Sequence, residues 1–196
     1  MKKALLLASI LFISVVSTAC INNFAVQELN NKAKAFIDQG DYTNAIERLK
    51  SSIDLDDTVF ESHYNLAVAY TAAEDYPNAI EAYKKAVALN PDFADAYYSL
   101  AVAEEDYAAD LAKGELKLDN AGQPVKVKEE EIPDIDKLVL TPETLKLIDT
   151  LLEDAVKQYG LYLQKGVDIK DGDDVRQKID ELNLERTKNN EENSKA

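Results

Sequence analysis

Apolar and small residues between Leu29 and Ala101 recur three and four positions apart, and the pattern as a whole returns after 34 residues. Asp41-Tyr42-Thr43-Asn44-Ala45-Ile46-Glu47 comes back as Asp75-Tyr76-Pro77-Asn78-Ala79-Ile80-Glu81. In the second copy His63, Leu66, Ala67 and Tyr70 mark one helix, and Ala79, Tyr83 and Ala86 mark the next, which Pro91 ends. Leu29, Ala33 and Phe36, then Ala45, Leu49 and Ser52, hold the same slots in a looser first copy. Such spacing puts one apolar stripe on each helix. Pro77 falls in a first turn, where its missing N–H loses no bond. The pattern predicts antiparallel helical hairpins whose contacts carry alanine, with tyrosine and leucine filling the space beside it.

A third unit opens in phase, since Ala94-Asp95-Ala96-Tyr97-Tyr98-Ser99-Leu100-Ala101 overlays residues 60–67. Register then fails at Glu104, which takes the slot of Phe36 and Tyr70. A second helix arrives late, where Ala155, Tyr159, Tyr162 and Leu163 repeat the spacing of Ala79, Tyr83, Ala86 and Val87. The expected order is therefore repeats at 26–59 and 60–93, and a third at 94–113 plus 142–165, split by an insertion at 114–141. Gly114 suits a helix C-terminal cap, and Thr141-Pro142 suits the start of the late helix. Within the insertion Leu116-Lys117-Leu118 and Val125-Lys126-Val127 alternate around Asp119-Asn120-Ala121-Gly122, which reads as a β-hairpin. It is either a decorated loop or a partner-specific contact. Val175, Ile179 and Leu182 predict a capping helix over 173–186, begun by Asp173 or Asp174. The polar residues 187–196 read as a disordered tail.

The 34-residue unit, with its His63, Leu66, Ala67, Tyr70, Ala79, Tyr83, Ala86 and Pro91 positions, resembles the tetratricopeptide repeat, a helix-turn-helix family. That resemblance implies an all-α fold, a TPR-like α-α superhelix, whose first helices line a concave face that binds an extended peptide or a partner helix. Carried over, the lining is Gln27, Asn30, Asn31, Lys34 and Asp38, then Glu61, Tyr64, Asn65, Val68 and Thr71. Asp95, Tyr98, Ser99, Val102 and Glu105 continue it in the third unit. Family members that grip a peptide C-terminus use lysine and arginine on successive first helices. Here Lys34 is the only cation of the lining, against Asp38, Glu61, Asp95 and Glu105, with Asp106 beside them, so the expected ligand is a protein or peptide with neutral or basic side chains. Asn31 and Asn65 would bond its main chain, and Tyr64 and Tyr98 would either give flat apolar contact or only cover the hairpin junctions. Glu104 and Glu105 would form an acidic wall of the groove.

The N-terminus is a different kind of segment. Lys2 and Lys3 precede an apolar run from Ala4 to Val16, and Ser17-Thr18-Ala19-Cys20 forms a small-residue exit, the layout of a signal peptide over 1–19. The run is shorter than the roughly 20 residues a membrane-spanning helix needs. Cys20, the one cysteine, rules out a disulfide within the chain. The exit resembles the lipobox of bacterial lipoproteins, with Ser17 where an aliphatic residue is usual, and implies acylation of Cys20 followed by a spacer at 20–25. Ordinary cleavage, releasing a soluble exported chain, is the other outcome.

Charge and composition close off most chemistry. Removing residues 1–19 loses two lysines and no acid, taking the formal charge from −15 to −17, which repels nucleic acid and anionic lipid headgroups. No histidine–cysteine cluster, phosphate-binding glycine loop or nucleophile with a histidine base occurs, and His63, the lone histidine, lies on the packing stripe. Residues 168–174 do not place ligands as a calcium loop requires. The expected function is a membrane-anchored extracytoplasmic adaptor or scaffold, facing the periplasm or cell exterior, with no cofactor, no metal and no catalysis. A structural lipoprotein subunit of an envelope assembly, such as pilus or outer-membrane machinery, is the alternative. Replacing Cys20 with alanine should move the protein from the membrane to the soluble fraction on cell fractionation; unchanged membrane association would sink the lipid anchor.

Overall fold

The computed structural model describes residues 23–134, 138–167 and 169–193. They form α1 (23–38), α2 (Tyr42–Leu55), α3 (Phe60–Ala72), α4 (Tyr76–Leu89) and α5 (Ala94–Lys113), then a two-stranded sheet, α6 (Pro142–Lys165) and α7 (Gly172–Asn193). The chain divides into two compact units, Met1–Asn90 and Pro91–Ala196.

In the first unit α2 packs on α3 and α3 on α4. The contacts run over alanine: Ala33, Ala45, Ala67, Ala79 and Ala86 are each 0% exposed, so helix backbones approach to the distance a methyl group allows. The turns repeat as well as the helices. Gly40 N–H donates to Ile37 O and Asp41 N–H to Phe36 O; the same two bonds recur from Glu74 to Thr71 and from Asp75 to Tyr70. Closing the turn this way needs a left-handed residue, Gly40 (φ 75°) in one copy and Glu74 (φ 58°) in the other. Asp41 then caps α2 by accepting from the Asn44 N–H at 3.2 Å. Its partner residue in the next copy, Asp75, accepts from the Asn78 side chain at 2.8 Å.

The second unit holds the split hairpin: α5 packs on α6, and Ala101, Tyr107, Ala108 and Leu111 of the one and Ile148, Leu152 and Ala155 of the other are buried. The left-handed turn is delayed to Gly114 (φ 75°), closed by Gly114 N–H to Leu111 O and Glu115 N–H to Asp110 O. Strands β1 (Leu116–Leu118) and β2 (Pro124–Lys126) pair antiparallel with Lys117 opposite Val125, so β2 begins one residue earlier than the alternation suggests. Asp119 Oδ1 accepts from the N–H groups of Ala121 and Gln123, which shapes the turn. Leu116, 6% exposed, ties the hairpin to α5.

Three expectations are corrected. Glu104 is no part of a groove wall: it occupies a core slot of the repeat and is 0% exposed. α7 begins at Gly172 rather than Asp173, its first bond running from Val175 N–H to Asp171 O. It also continues to Asn193, beyond the expected end at 186. No glycine or proline after Gly172 interrupts it, Thr187 Oγ1 donates to Asn183 O, and Arg186 reaches Asp149 and Glu153 on α6 at 3.0 and 2.8 Å. Val175 and Leu182 of α7 are buried, and burying such side chains contributes roughly 1.5 to 3 kcal/mol each. Replacing Ala79 with leucine should lower the stability by about 1 to 3 kcal/mol through overpacking, measured by urea denaturation.

Candidate functional site

Each unit has its own candidate surface on its first helices. In the first, α1 and α3 are joined by a polar network. Asn30 Nδ2 lies 3.0 Å from Val26 O and 2.8 Å from both Ser52 Oγ and Ser62 Oγ, and Ser52 and Ser62 are themselves fully buried. A carbonyl can only accept, so Val26 places the amide nitrogen of Asn30 inward and leaves Oδ1 for Asn65, whose Nδ2 donates to it at 2.9 Å. The oxygen that remains on Asn65 is therefore an acceptor on a fixed side chain.

Around that pair Asn31, Lys34 and Glu61 are exposed, and Val68 and Thr71 half-buried. Thr71 donates its hydroxyl to Ala67 O within its own helix. The half-buried Tyr64 lies with its ring 5.7 Å from that of Tyr83 on α4, at the junction of its hairpin. His63 is buried, its Nε2 donating to Asp57 O at 2.9 Å.

In the second unit Tyr98, 37% exposed, sits against Tyr159 and Tyr162 with centroids 5.5 and 5.1 Å away. Tyr159 donates to Glu105 at 3.0 Å and Tyr162 to Asp171 at 2.9 Å. Lys178 of α7 also reaches Glu105, at 2.8 Å. Ser99 and Val102 are half-buried beside them. Tyr98 and Tyr159 thus repeat the relation of Tyr64 to Tyr83, which puts α6 in the second-helix role of this unit. Burial, then Glu105, pushes the Tyr159 phenol up, while burial and the bond to Asp171 push Tyr162 up to about 12. The bond to Glu105 raises Lys178 too.

The lining residues are brought together as Asn30 with Asn65, while Glu105 is committed to Tyr159 and Lys178. Lys178 and Asp171 were missed by sequence reasoning, because their partners lie on other helices and no spacing connects them. So was a cleft of about 330 Å³ between α2 and α4, floored by Leu66 and Tyr70, where Lys50 stands 5.6 Å over the Tyr70 ring. Among the described residues no group of three or more His, Cys, Asp or Glu is placed to hold a metal ion, and no helix is long and apolar enough to cross a membrane. Cys20 lies outside the described residues.

This arrangement defines a class, an all-α protein of stacked helical hairpins with a small two-stranded sheet. Residues 60–93 match the tetratricopeptide repeat family and residues 33–73 match the TPR repeat, so the first two hairpins are tetratricopeptide repeats. No curated protein is similar enough to count as a relative. Among solved structures the fold is similar to the first TPR domain of human RPAP3, with 18% identity over 83% of this chain and 95% of that one and a TM-score of 0.56. It is also similar to the first TPR of Spaghetti (RPAP3) bound to the HSP90 peptide SRMEEVD, with 19% identity, 81% and 93% coverage and a TM-score of 0.54.

The shifts in the second unit carry a sign. Tyr159, Tyr162 and Lys178 hold their protons more tightly folded than unfolded, so their contribution is full below the ordinary values of 10.0 and 10.5 and is lost as pH rises through the folded ones. Urea denaturation should show stability falling from about pH 10 towards pH 12, with Tyr162→Phe flattening the fall.

Proposed function

We propose that this protein is a membrane-anchored, extracytoplasmic scaffold that binds a protein or peptide partner on its first-helix faces and catalyses nothing. The observation that carries the reading is Asn65. Its amide is oriented by a chain of bonds that ends at the Val26 carbonyl, so it offers a preset acceptor beside exposed Asn31 and Glu61. A group held in place before the ligand arrives loses little entropy on binding. An acceptor with a carboxylate nearby suits a main-chain N–H or a basic side chain, and hence a neutral or basic partner.

The Spaghetti domain, similar in fold, is bound to SRMEEVD. That peptide carries three acids, whereas the first-helix surfaces here present Glu61 and Asp95, so the ligand of this chain differs in charge. Attachment to the membrane rests on the Lys2-Lys3 start, the apolar run and the Ser17-Thr18-Ala19-Cys20 exit, with acyl chains on Cys20 as the anchor.

The test places a photo-crosslinking residue at Asn31 in the full chain in native membranes. Asn65→Ala should reduce capture of the partner about fivefold, the worth of roughly one hydrogen bond, while the thermal transition stays cooperative. Undiminished capture by a folded Asn65→Ala protein would remove this face from the binding surface.

A further inference from the structure

The second unit holds an arrangement that a partner-binding surface does not by itself require. Three tyrosine rings meet at Tyr98, and the two inner ones are locked by their hydroxyl groups: Tyr159 donates to Glu105 and Tyr162 to Asp171. A phenol that donates to a carboxylate gains electron density, which strengthens the negative face of its ring. Asp95, one turn before Tyr98 on α5, is exposed and acts on Tyr162 together with Asp171. Lys178 brings a cation to this cluster, and its ammonium is already held by Glu105. The exposed ring of Tyr98 is therefore backed by aromatic faces and flanked by carboxylates that the lysine does not hold.

We propose that Tyr98, with Tyr162, Asp95 and Asp171, forms a subsite for a cationic side chain, the ammonium of lysine or the guanidinium of arginine, on the partner. An ammonium over such a ring gains from the ring quadrupole and from the carboxylates together, and Arg or Lys approaching by its extended stem covers the apolar ring edges as well. Burial is the first cause of the raised phenol pKa values, and Glu105 at Tyr159 and Asp171 and Asp95 at Tyr162 raise them further. Lys178 shows that the cluster accommodates an ammonium without displacing its tyrosines. The inference rests on reading the first-helix faces as partner surfaces and specifies what one of them selects.

The experiment titrates the full chain by calorimetry with a short blocked glycine–lysine peptide, and in parallel with the same peptide acetylated at its lysines, at low ionic strength. The lysine peptide should bind, the acetylated one should not, and Tyr98→Leu should weaken binding about tenfold. Tyr98→Phe, which keeps the ring on Tyr159 and Tyr162, should bind like the wild type. Equal affinity for the acetylated peptide, no loss in Tyr98→Leu, a loss in Tyr98→Phe as large as in Tyr98→Leu, or no binding of the lysine peptide would each overturn the subsite. Partner capture that depends on Asn65 but survives Tyr98→Leu would overturn the subsite and leave the scaffold standing. Lysine-peptide binding that depends on Tyr98 in a protein that captures no partner would support the subsite and count against the scaffold.

Discussion

Close approach of helices over methyl-sized side chains is the constraint from which the rest of this structure follows. A pair of antiparallel helices separated by alanine leaves no room for a larger residue at the contact, and every such position in the two regular hairpins is fully buried. With the contact stripe occupied, tyrosine and leucine must pack at its edges, and what remains on each first helix is free to face outward. The turns obey the same geometry. A hairpin this tight reverses through a single left-handed residue, and the position is kept even where Glu74 rather than glycine occupies it. Holding a glutamate there costs on the order of 1 kcal/mol, which the identical bonds on both sides of the turn offset.

The third hairpin shows what happens when the chain between two packed helices grows. Its helices lengthen to 20 and 24 residues, against 13 and 14 in the hairpin before it. The contact between them nonetheless has the same parts: alanine at the centre, and a first-helix tyrosine against a second-helix tyrosine. Distance in sequence does not weaken that packing, because loop closure becomes only slowly more costly with length. The sheet between them is too small to stand alone and is held by Leu116 against α5. α7 then packs on α6 with Val175 and Leu182 buried, and is held at two points, by Lys178 to Glu105 and by Arg186 to Asp149 and Glu153.

Polar residues divide less simply than apolar ones. Asn30 and Asn65 look alike in the lining pattern, yet Asn30 has its nitrogen turned into a buried network and Asn65 retains an acceptor. Ser52 and Ser62 stand where the next repeat has Ala86 and Ala96, and this substitution of hydroxyl for methyl is what gives Asn30 its partners. Glu104 is the opposite case. It is a charged residue type at an apolar slot, and the helix carries it into the core because its neighbours on the same face, Ala101 and Ala108 one turn away and Leu111 two turns away, are buried.

The sequence by itself determined the helices, their pairing in hairpins, the delayed partner of α5 and the small sheet, because periodicity, caps and turn residues act within a few positions of the chain. It also marked the outward face of each first helix, since that face is what the apolar stripe leaves over. Only the tertiary structure decided which outward residues remain available. The bonds that commit Asn30, Glu105, Tyr159 and Tyr162 join side chains from different helices or, for Tyr162, from the turn before α7, and a hydrogen bond needs its partner within about 3 Å. No spacing along a chain specifies that distance. The extent of α7 was not legible either: residues after 186 look disordered alone, yet the helix runs on to Asn193 from a turn where Arg186 is held by Asp149 and Glu153 of α6.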